Sequence, residues 1–446
     1  MTAEPEGGSD AVRGAAVPVA DRVAVVGGGW AGLAAAVEAS RTGDRVTLFE
    51  MAPQPGGRAR RVRTPAGLSL DNGQHILIGA YRETLALMRS VGVAPESALY
   101  RRPLALIDPH GSGLRLGPGP PMLAFVLAVS RRAGWSLTDR IGLLRTAAGW
   151  ALRRFRCDAS VSVETLTREL SPEVRRSLIE PLCVAALNTP ADRASGQVFL
   201  RVLRDALFSG RGSADLLLPR TDLSALLPDA AVAWLAAHGA EVRLATRVHR
   251  LVREGAAWSL DDEPFDRVIL ACTASEAARL CKSCAPDWSS IAAVFDYEPI
   301  ITVLLQSQGT RLPEPMTVLL SDDAAPAQFV FDLGAIDGGG ARSGWFSFVV
   351  SGARLWSERG LDATAGATLL QAMDAFPAGT WRTPPTVLST LAERRATFLC
   401  TPGLRRPPST IAGGLQAAGD YIAGPYPATL EGAVRSGLAA ARARCD

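Results

Sequence analysis

The chain has 446 residues, and 48% of them are hydrophobic, so it is long enough to bury a large core and to form two domains. Its formal net charge is only +3, and Lys282 is the only lysine among its basic residues. These residues form no single run and no nucleic-acid-binding module is visible, so nothing indicates nucleic-acid binding.

Residues 1–20 contain glycine and acidic residues but no apolar segment. This composition predicts a disordered tail rather than a signal peptide, and we expect a cytoplasmic protein. The seven cysteines are odd in number and scattered, which is typical of reduced thiols. Cys281 and Cys284 form a CxxC pair without a second pair, so we expect no metal site.

Residues 22–58 have the pattern of a complete βαβ unit. An apolar, β-branched run leads into a glycine-rich turn, an alanine-rich helix and a second apolar strand that ends on Glu50. At the tip of that strand, Glu50 is placed to accept hydrogen bonds from both hydroxyls of an adenosine ribose. A carboxylate at this position would repel a 2′-phosphate.

The glycine-rich turn has the dinucleotide-binding spacing GxGxxG. Gly27 permits the tight turn, Gly29 lets the backbone approach a pyrophosphate, and Gly32 lets the helix pack closely on the strand. The helix begins at Trp30 and Ala31. Its N-terminal end has unpaired amides that can bind the phosphates. The segment therefore predicts a dinucleotide site.

The sequence PGGR follows the second strand directly. Gly57 suits a chain that passes close to a ligand, and Arg58 offers one cation to its phosphates. A nicotinamide-binding Rossmann domain has no need of such a loop.

Together, GxGxxG, the terminal glutamate and GGR resemble the FAD-binding N-terminus of the amine oxidase and phytoene desaturase superfamily. Near the other end of the chain, AGDY and then ATLEGA are similar to the second flavin motif of that superfamily. The resemblance implies FAD as the cofactor, with Gly419 and Asp420 in the ribityl-pyrophosphate region. It also places Thr429 and Leu430, at a helix N-terminus, opposite the isoalloxazine.

Residues 67–81 predict a strand, a polar turn and the start of a helix. Their sequence DNGQHILIGAY resembles the squalene-associated branch of the superfamily, the hydroxysqualene dehydroxylases of hopanoid biosynthesis. Because this segment follows the flavin loop, we expect it beside the flavin, where His75 is a candidate for proton transfer. The alternative is that Asp71 and His75 only tie a tight turn together.

Residues 120–156 predict an amphipathic, arginine-rich helical pair that carries Trp135 and Trp150. The apolar run at 122–129 is far shorter than the roughly 20 residues that span a bilayer. Such a pair suits the headgroup region of an anionic membrane, and we expect a peripheral protein on the inner face of the cytoplasmic membrane. A core helix pair with a solvated basic face explains the pattern equally well.

Residues 180–190, EPLCVAALNTP, also resemble the squalene-associated branch and suit an apolar tunnel with one or two polar groups. Beyond them, we expect a helix over 222–238 and buried strands that return to the flavin domain. The resemblance implies that Val248 lies on the adenine side.

The runs ITVLLQ, TVLLS, AQFVFDL and GWFSFVV predict an antiparallel sheet that forms a wall of the substrate cavity. Gly338, Gly339 and Gly340 lie between two of these strands with no helix after them. They predict a hairpin loop rather than a second nucleotide site.

The predicted fold class is α/β, a Rossmann-type FAD-binding domain with an inserted α+β substrate domain. The expected divisions are a tail at 1–20, FAD-binding parts at 21–80, 216–290 and 401–446, a mainly helical substrate and membrane-associated region at 81–215, and the antiparallel sheet at 291–400.

For the activity that the resemblance implies, hydroxysqualene loses its hydroxyl as water and takes up a hydride from reduced flavin. This chemistry needs an apolar cavity and one proton donor. The candidates for that donor are His75, Tyr297, Tyr426 and Glu180. No second dinucleotide motif is visible, so the electron donor stays open.

Two alternatives remain at this point. The chain could be a polyprenyl desaturase that works in the oxidative direction. It could also be a non-catalytic prenyl-lipid carrier, because Rab guanine-nucleotide dissociation inhibitors share this fold. The complete set of flavin motifs argues against the carrier, and a visible spectrum of the purified protein would separate the two.

Overall fold

The structure is a computed structural model, and it describes residues 20–63 and 67–443. Except for residue 20, the predicted tail lies outside the described residues.

A six-stranded sheet combines strands from distant parts of the chain. In spatial order its strands are Glu241–Arg243, Arg45–Phe49, Arg22–Val26, Arg267–Leu270, Leu415–Ala417 and Thr410–Ala412. All neighbours pair in parallel except the last two. The central strands are apolar runs because helices cover them, as is usual in parallel sheets. This is the Rossmann-type sheet that the sequence predicts.

The helix Trp30–Arg41 follows the first strand and packs against the C-terminal helix Leu430–Arg442 and the helix Pro228–Ala237. Small residues allow a close approach between the first two. A side chain on Gly437 would place its Cβ 2.1 Å from the carbonyl oxygen of Ala31. The last helix of the chain is therefore part of the core around the first βαβ unit.

A second, antiparallel sheet forms the other half of the molecule. Its spatial order is Met316–Val318, Phe329–Asp332, Trp345–Val350, Tyr297–Gln306 and Thr386–Phe398. The first four strands agree with the prediction, whereas the last one was not predicted. The three glycines at 338–340 lie in the connection between two strands, after the short helix Leu333–Ile336, so the hairpin prediction is confirmed.

Alternation along the strand Tyr297–Gln306 separates two surfaces. Ile301, Val303 and Leu305 enter a core with the helix Leu361–Ala375. The residues between them face the opposite side, where the cavity described below is found.

One predicted helix needs correction. The single helix expected over 222–238 is two helices, Leu223–Leu226 and Pro228–Ala237. Pro228 lacks an N–H and disfavours helical geometry in the residue before it, and Leu227 has a φ of −149°. The helix Arg82–Ser90, which the expected division at residue 81 assigns to the substrate region, packs into the core around the parallel sheet.

The region predicted as a helical pair contains the helices Pro121–Arg131 and Leu137–Leu152. Ser136 and Asp139 form a capping box that starts the second helix. Within residues 20–63 and 67–443, every helix is too short or too polar to cross a lipid bilayer.

The other elements are short strands and helices. The small sheets contain Arg61–Arg63, Ser69–Asp71, Leu77–Ile78, Leu99–Arg102, Ala105–Ile107, Gly113–Arg115, Leu216–Pro219, Leu251–Glu254, Ala257–Leu260 and Glu263–Phe265. The remaining helical segments are Pro95–Ala98, Val163–Thr167, Pro172–Val174, the π-helical Arg175–Ile179, Glu180–Leu187, Gly196–Phe208, Ala274–Cys281, Pro286–Ala292 and Arg354–Arg359.

Candidate cofactor and substrate cavity

A cavity of about 590 Å³ lies between the parallel and antiparallel sheets. Nearly all of the predicted cofactor-binding residues line it, together with two of the proposed proton donors. These lining residues are Gly27, Gly29, Trp30, Ala31, Glu50, Gly57, Arg58, Val248, Gly419, Asp420, Thr429, Leu430, His75 and Tyr297.

Two glycines of the turn are required by the protein itself. Gly27 has a φ of +114°, and a Cβ on it would lie 2.6 Å from the carbonyl oxygen of Ala271. A Cβ on Gly32, which does not line the cavity, would lie 1.8 Å from the carbonyl oxygen of Gly27. Gly32 therefore supports the turn by close packing, as its predicted role requires.

Gly29 is different, because the protein leaves room beside it. A Cβ there would meet only the Cα of Gly57, at 3.8 Å. Gly29 precedes the helix Trp30–Arg41, and no described side chain caps that helix end. The first-turn amides, which lack partners within a helix, thus adjoin a space that a diphosphate can occupy.

Glu50 is 8% exposed and accepts two backbone hydrogen bonds. One carboxylate oxygen accepts from the N–H of Gly28 at 2.6 Å, and the other accepts from the N–H of Ala52 at 2.7 Å. A carboxylate has about four lone-pair sites, so two remain for the hydroxyls of a ribose. Glu50 therefore fixes the glycine turn and can bind a ribose at the same time.

Arg58 and Asp420 both line the cavity, and their side chains form an ion pair at 2.6 Å. The guanidinium of Arg58 also donates to the carbonyl oxygen of Ala396 at 2.9 Å, which fixes its position. Asp420 is almost fully buried, whereas about a third of the Arg58 side chain, 36%, is exposed and can face a ligand. The pair joins the two flavin motifs predicted from opposite ends of the chain.

Thr429 caps the C-terminal helix by accepting a hydrogen bond from the N–H of Gly432 at 3.0 Å. Leu430, the first residue of this helix, also lines the cavity. Its neighbour Glu431 is fully buried and accepts hydrogen bonds from the N–H and the hydroxyl of Thr84 at 3.0 and 2.8 Å. The same segment thus closes the cavity and caps the helix Arg82–Ser90.

On the opposite side, Val248 is buried close to the Glu50 end of the parallel sheet. The backbone connects the two, because the N–H of Thr246 donates to the carbonyl oxygen of Glu50 at 2.9 Å. Trp30 is held by its indole N–H, which donates to the carbonyl oxygen of Ala59 at 2.9 Å. Free helix amides, a ribose-binding carboxylate and a cation in one cavity fit FAD.

The remaining wall of the cavity is largely apolar. It comes from the helix Glu180–Leu187 and from the antiparallel sheet. Its apolar members include Val184, Leu187, Ile300, Phe329, Phe331, Val349 and Leu391. This half suits a hydrocarbon chain rather than a polar substrate.

Thr302 is a polar residue within this wall. It is 8% exposed, and its hydroxyl oxygen has no hydrogen-bond partner among the described residues. Buried hydroxyls are normally paired, so an unpaired one that lines a cavity is available to a ligand. Gly73, in the turn before His75, lies close by, since a Cβ on it would be 3.8 Å from this oxygen.

His75 lines the cavity with one ring nitrogen engaged, as Nδ1 lies 3.0 Å from the carbonyl oxygen of Gly73. Burial lowers the pKa of His75, and the nearby Arg58 lowers it further. A neutral ring that donates from Nδ1 has only an acceptor at Nε2. His75 therefore ties its turn, whereas Asp71 accepts from the N–H of Leu223 at 2.7 Å.

Two of the proposed proton donors lie outside the cavity lining. Glu180 is exposed at the start of its helix. Tyr426 lies against the guanidinium groups of Arg201 and Arg435, at 5.4 and 5.3 Å from its ring centre. Their positions argue against a direct role in proton transfer. Tyr297 does line the cavity, and burial raises its pKa, so it keeps its proton.

Sequence reasoning missed Thr302, Tyr81 and Glu393, which all line the cavity. Tyr81 closes the DNGQHILIGAY segment, and burial raises its pKa well above the usual value. The signal for Thr302 was present, because its hydroxyl interrupts the apolar run from Ile300 to Leu305. Glu393 lies on the strand that was not predicted.

The comparisons with known proteins agree with this geometry. Residues 30–443 match the family model of flavin containing amine oxidoreductases. The hydroxysqualene dehydroxylase of Rhodopseudomonas palustris is 30% identical over 94% of this chain and 97% of that protein. The protein of the same name from Zymomonas mobilis is 26% identical, again over 94% of this chain and 97% of its own length.

Solved structures show the same fold at lower identity. The chain is similar to an oxidoreductase from Methanosarcina mazei with a TM-score of 0.70 and 16% identity, over 94% of this chain and 99% of that one.

Proposed function

The chain belongs to the flavin containing amine oxidoreductase family and resembles the hydroxysqualene dehydroxylases over nearly its whole length, and from this premise we propose that it converts hydroxysqualene to squalene. It is an FAD-dependent oxidoreductase. The observation that carries the proposal is one continuous cavity in which FAD-binding residues adjoin a largely apolar wall that carries the buried hydroxyl of Thr302, which has no partner among the described residues.

The hydride would come from reduced FAD when it is bound in this cavity. Gly29 and the first helix amides would hold the diphosphate, and Glu50 would hold the ribose. Arg58, kept in place by Asp420, would neutralise phosphate charge. The helix that starts at Leu430 directs its positive end toward the cavity.

The antiparallel sheet excludes water from the reacting carbon. Phe329 and Phe331 add aromatic rings, which stabilise positive charge by cation–π attraction. The hydroxyl of Thr302 binds the departing oxygen, and Tyr297, which keeps its proton, is the proton donor. His75 is neutral and accepts a hydrogen bond at Nε2, so it orients the donor or a water molecule instead of donating.

A lipid substrate has to enter from a membrane, and the helices Pro121–Arg131 and Leu137–Leu152 supply a surface for it. Their exposed apolar side chains are Leu123, Val126, Leu127, Leu137, Ile141 and Leu152. The helix Gly196–Phe208 packs against both the first of this pair and the cavity-lining helix Glu180–Leu187. We propose that this pair docks on the inner face of the cytoplasmic membrane beside the cavity.

The test is anaerobic incubation of the dithionite-reduced holoenzyme with hydroxysqualene, squalene or phytoene, using flavin that carries a deuteride. Squalene with one deuterium at the carbon that held the hydroxyl is the expected product. Desaturation of phytoene under oxidising conditions, with hydroxysqualene untouched, would identify a desaturase. Absence of flavin absorption after gentle purification would identify a carrier.

A further inference from the structure

A second cavity, of about 400 Å³, lies at the end of the helix Leu137–Leu152 and shares no lining residue with the first. Its lining residues are Ala151, Arg154, Phe155, Arg156, Arg204 and Phe208. Three arginines around two aromatic rings form a cationic pocket beside the proposed membrane face.

The backbone at this pocket is held in an unfavourable conformation. Arg154 and Phe155 have φ values of +52° and +55°, in the left-handed region. The N–H of Phe155 donates to the carbonyl oxygen of Trp150, and that of Arg154 donates to the carbonyl oxygen of Ala151, at 2.7 and 2.9 Å. This is a Schellman motif with arginine where glycine is usual. Residues kept in such conformations often serve a function.

The loop that presents the arginines is fixed by Gln197. The side chain of Gln197 donates to the carbonyl oxygen of Phe155 at 3.1 Å and accepts from the N–H of Cys157 at 3.0 Å. Phe155 itself is buried against Trp150 and Leu200. The pocket is therefore built into the fold rather than formed by mobile side chains alone.

No acidic side chain among the described residues neutralises the charge of the pocket. Arg154, Arg156 and Arg204 are exposed, and none of them forms an ion pair with an acidic side chain in the part of the chain that the structure describes. Asp205 lies next to Arg204 in sequence, but it is buried and pairs with Arg201 at 2.7 Å. Unpaired guanidinium groups bind phosphate oxygens through two parallel hydrogen bonds.

Two exposed apolar side chains accompany the pocket: Phe208 lines it, and Leu152 follows its lining residue Ala151 in the sequence. Leu152 is 87% exposed and Phe208 is 49% exposed. Phe208 packs edge-on against Phe155, with ring centres 5.1 Å apart. A soluble anion needs no such apolar rim, whereas a phospholipid presents acyl chains beside its phosphate.

We infer that this pocket binds the phosphodiester headgroup of an anionic phospholipid. Arg154, Arg156 and Arg204 contact the phosphate, while Leu152 and Phe208 enter the layer below the headgroups. The inference rests on the proposed membrane association and deepens it, because it gives the association a defined lipid site.

The experiment is co-sedimentation of the full-length holoenzyme with two kinds of vesicle. One kind is phosphatidylcholine alone, and the other is an equimolar mixture of phosphatidylcholine and phosphatidylglycerol. We expect tighter binding to the mixture. Replacing Arg154, Arg156 and Arg204 by glutamine should remove that preference. The loss of each arginine should lower the affinity for the anionic vesicles about fivefold.

The matched control replaces three other exposed arginines, Arg45, Arg394 and Arg405, by glutamine. It removes the same charge from other surfaces and should largely keep the anionic preference. If both triple variants lost the anionic preference equally, the proposed lipid site would be wrong and only non-specific electrostatic attraction would remain. Arg154→Gly is a second variant, because glycine suits the left-handed position; it should unfold at a higher temperature and still bind the mixture more weakly.

Two further outcomes separate the explanations. Binding of inorganic phosphate without vesicles, lost in the Arg154, Arg156 and Arg204 variant, would reassign the pocket to a soluble anion. Binding to both vesicles without preference would overturn this inference alone. Binding to neither vesicle would overturn the membrane association as well, without affecting the test of the reaction.

Discussion

The two halves of the main cavity are built on opposite principles. In the cofactor half, the charged groups already have protein partners: Glu50 holds two amides, and Arg58 pairs with Asp420. In the substrate half, apolar side chains surround the hydroxyl of Thr302, which has no partner among the described residues. The first half is preorganised for a polar ligand that stays bound, and the second leaves the Thr302 hydroxyl for a ligand that comes and goes.

The largest effect should come from Gly32→Ala, which tests how rigid the cofactor half is. The new Cβ would lie 1.8 Å from the carbonyl oxygen of Gly27, so the helix has to move away from the strand. We expect loss of bound flavin and of roughly 3 kcal/mol of unfolding free energy.

The matched control is Gly149→Ala, in a helix where an added Cβ meets no atom within 4 Å. This change should stabilise its helix by roughly 0.5–1 kcal/mol. Flavin absorbance and thermal unfolding measure both effects. A Gly32→Ala protein with a full complement of flavin would refute the packing role.

The next effect in size is expected for Glu50→Ala. It removes charged acceptors worth roughly 1.5–3 kcal/mol each, so the Kd for FAD should rise at least about tenfold. Because Glu50 also holds the amides of Gly28 and Ala52, the unfolding of the apoprotein has to be measured in parallel. Glu50→Gln keeps one acceptor oxygen, so its Kd for FAD should lie between that of the parent and that of Glu50→Ala. Unchanged FAD affinity would show that the ribose does not bind at Glu50.

Asp71, at the end of a strand that leads into the turn between the two halves, should make stability depend on pH. Burial raises the pKa of Asp71 from 3.8 to about 7. The folded state then binds more protons than the unfolded state between those pKa values, so stability falls as the pH rises through that window.

Asp71→Asn removes this loss while keeping an oxygen that can accept from the N–H of Leu223. At about pH 8, the variant should be more stable than the parent by roughly 1–2 kcal/mol, less than the full pKa shift because the side chain is partly exposed. Denaturant unfolding at about pH 5 and pH 8 measures the difference. An equal difference in unfolding free energy between variant and parent at both pH values would contradict the raised pKa of Asp71.

The smallest effect should come from Thr302→Val, which tests the substrate half alone. Loss of one hydrogen bond should lower kcat/KM for hydroxysqualene about threefold to tenfold, without loss of flavin. Thr317→Val is the control, because the Thr317 hydroxyl is also buried and unpaired but does not line the cavity. Equal effects of the two variants would point to general packing.

The same contrast explains what the sequence could predict. The cofactor half depends on local spacing within residues 22–58 and on one motif near the C-terminus, so each role followed from its position along the chain. The strand Thr386–Phe398 carries many polar residues and lacks an apolar pattern, so Glu393 could not be placed. The π-helical turn Arg175–Ile179 adds a residue to its turn, which rotates the next helix and puts Glu180 outside.

Tyr426 was misplaced for a different reason. It is close in sequence to Thr429, but its ring turns away and stacks on Arg201 and Arg435. The orientation of the Tyr426 ring depends on a tertiary contact with a helix more than two hundred residues earlier in the chain. No local pattern records it.

The buried carboxylate of Glu431 has a consequence for how the protein is made. It caps the helix Arg82–Ser90 across 347 positions of sequence, from Thr84 to the C-terminal helix. During synthesis, the N-terminal βαβ unit leaves the ribosome long before this partner exists, so its neighbouring helix stays uncapped until the helix Leu430–Arg442 has emerged. Asp420, Thr429 and Leu430 also line the cavity, so the flavin site is incomplete until this segment has been made. Loss of the helix Leu430–Arg442 would also uncover the helix Trp30–Arg41, against which it packs.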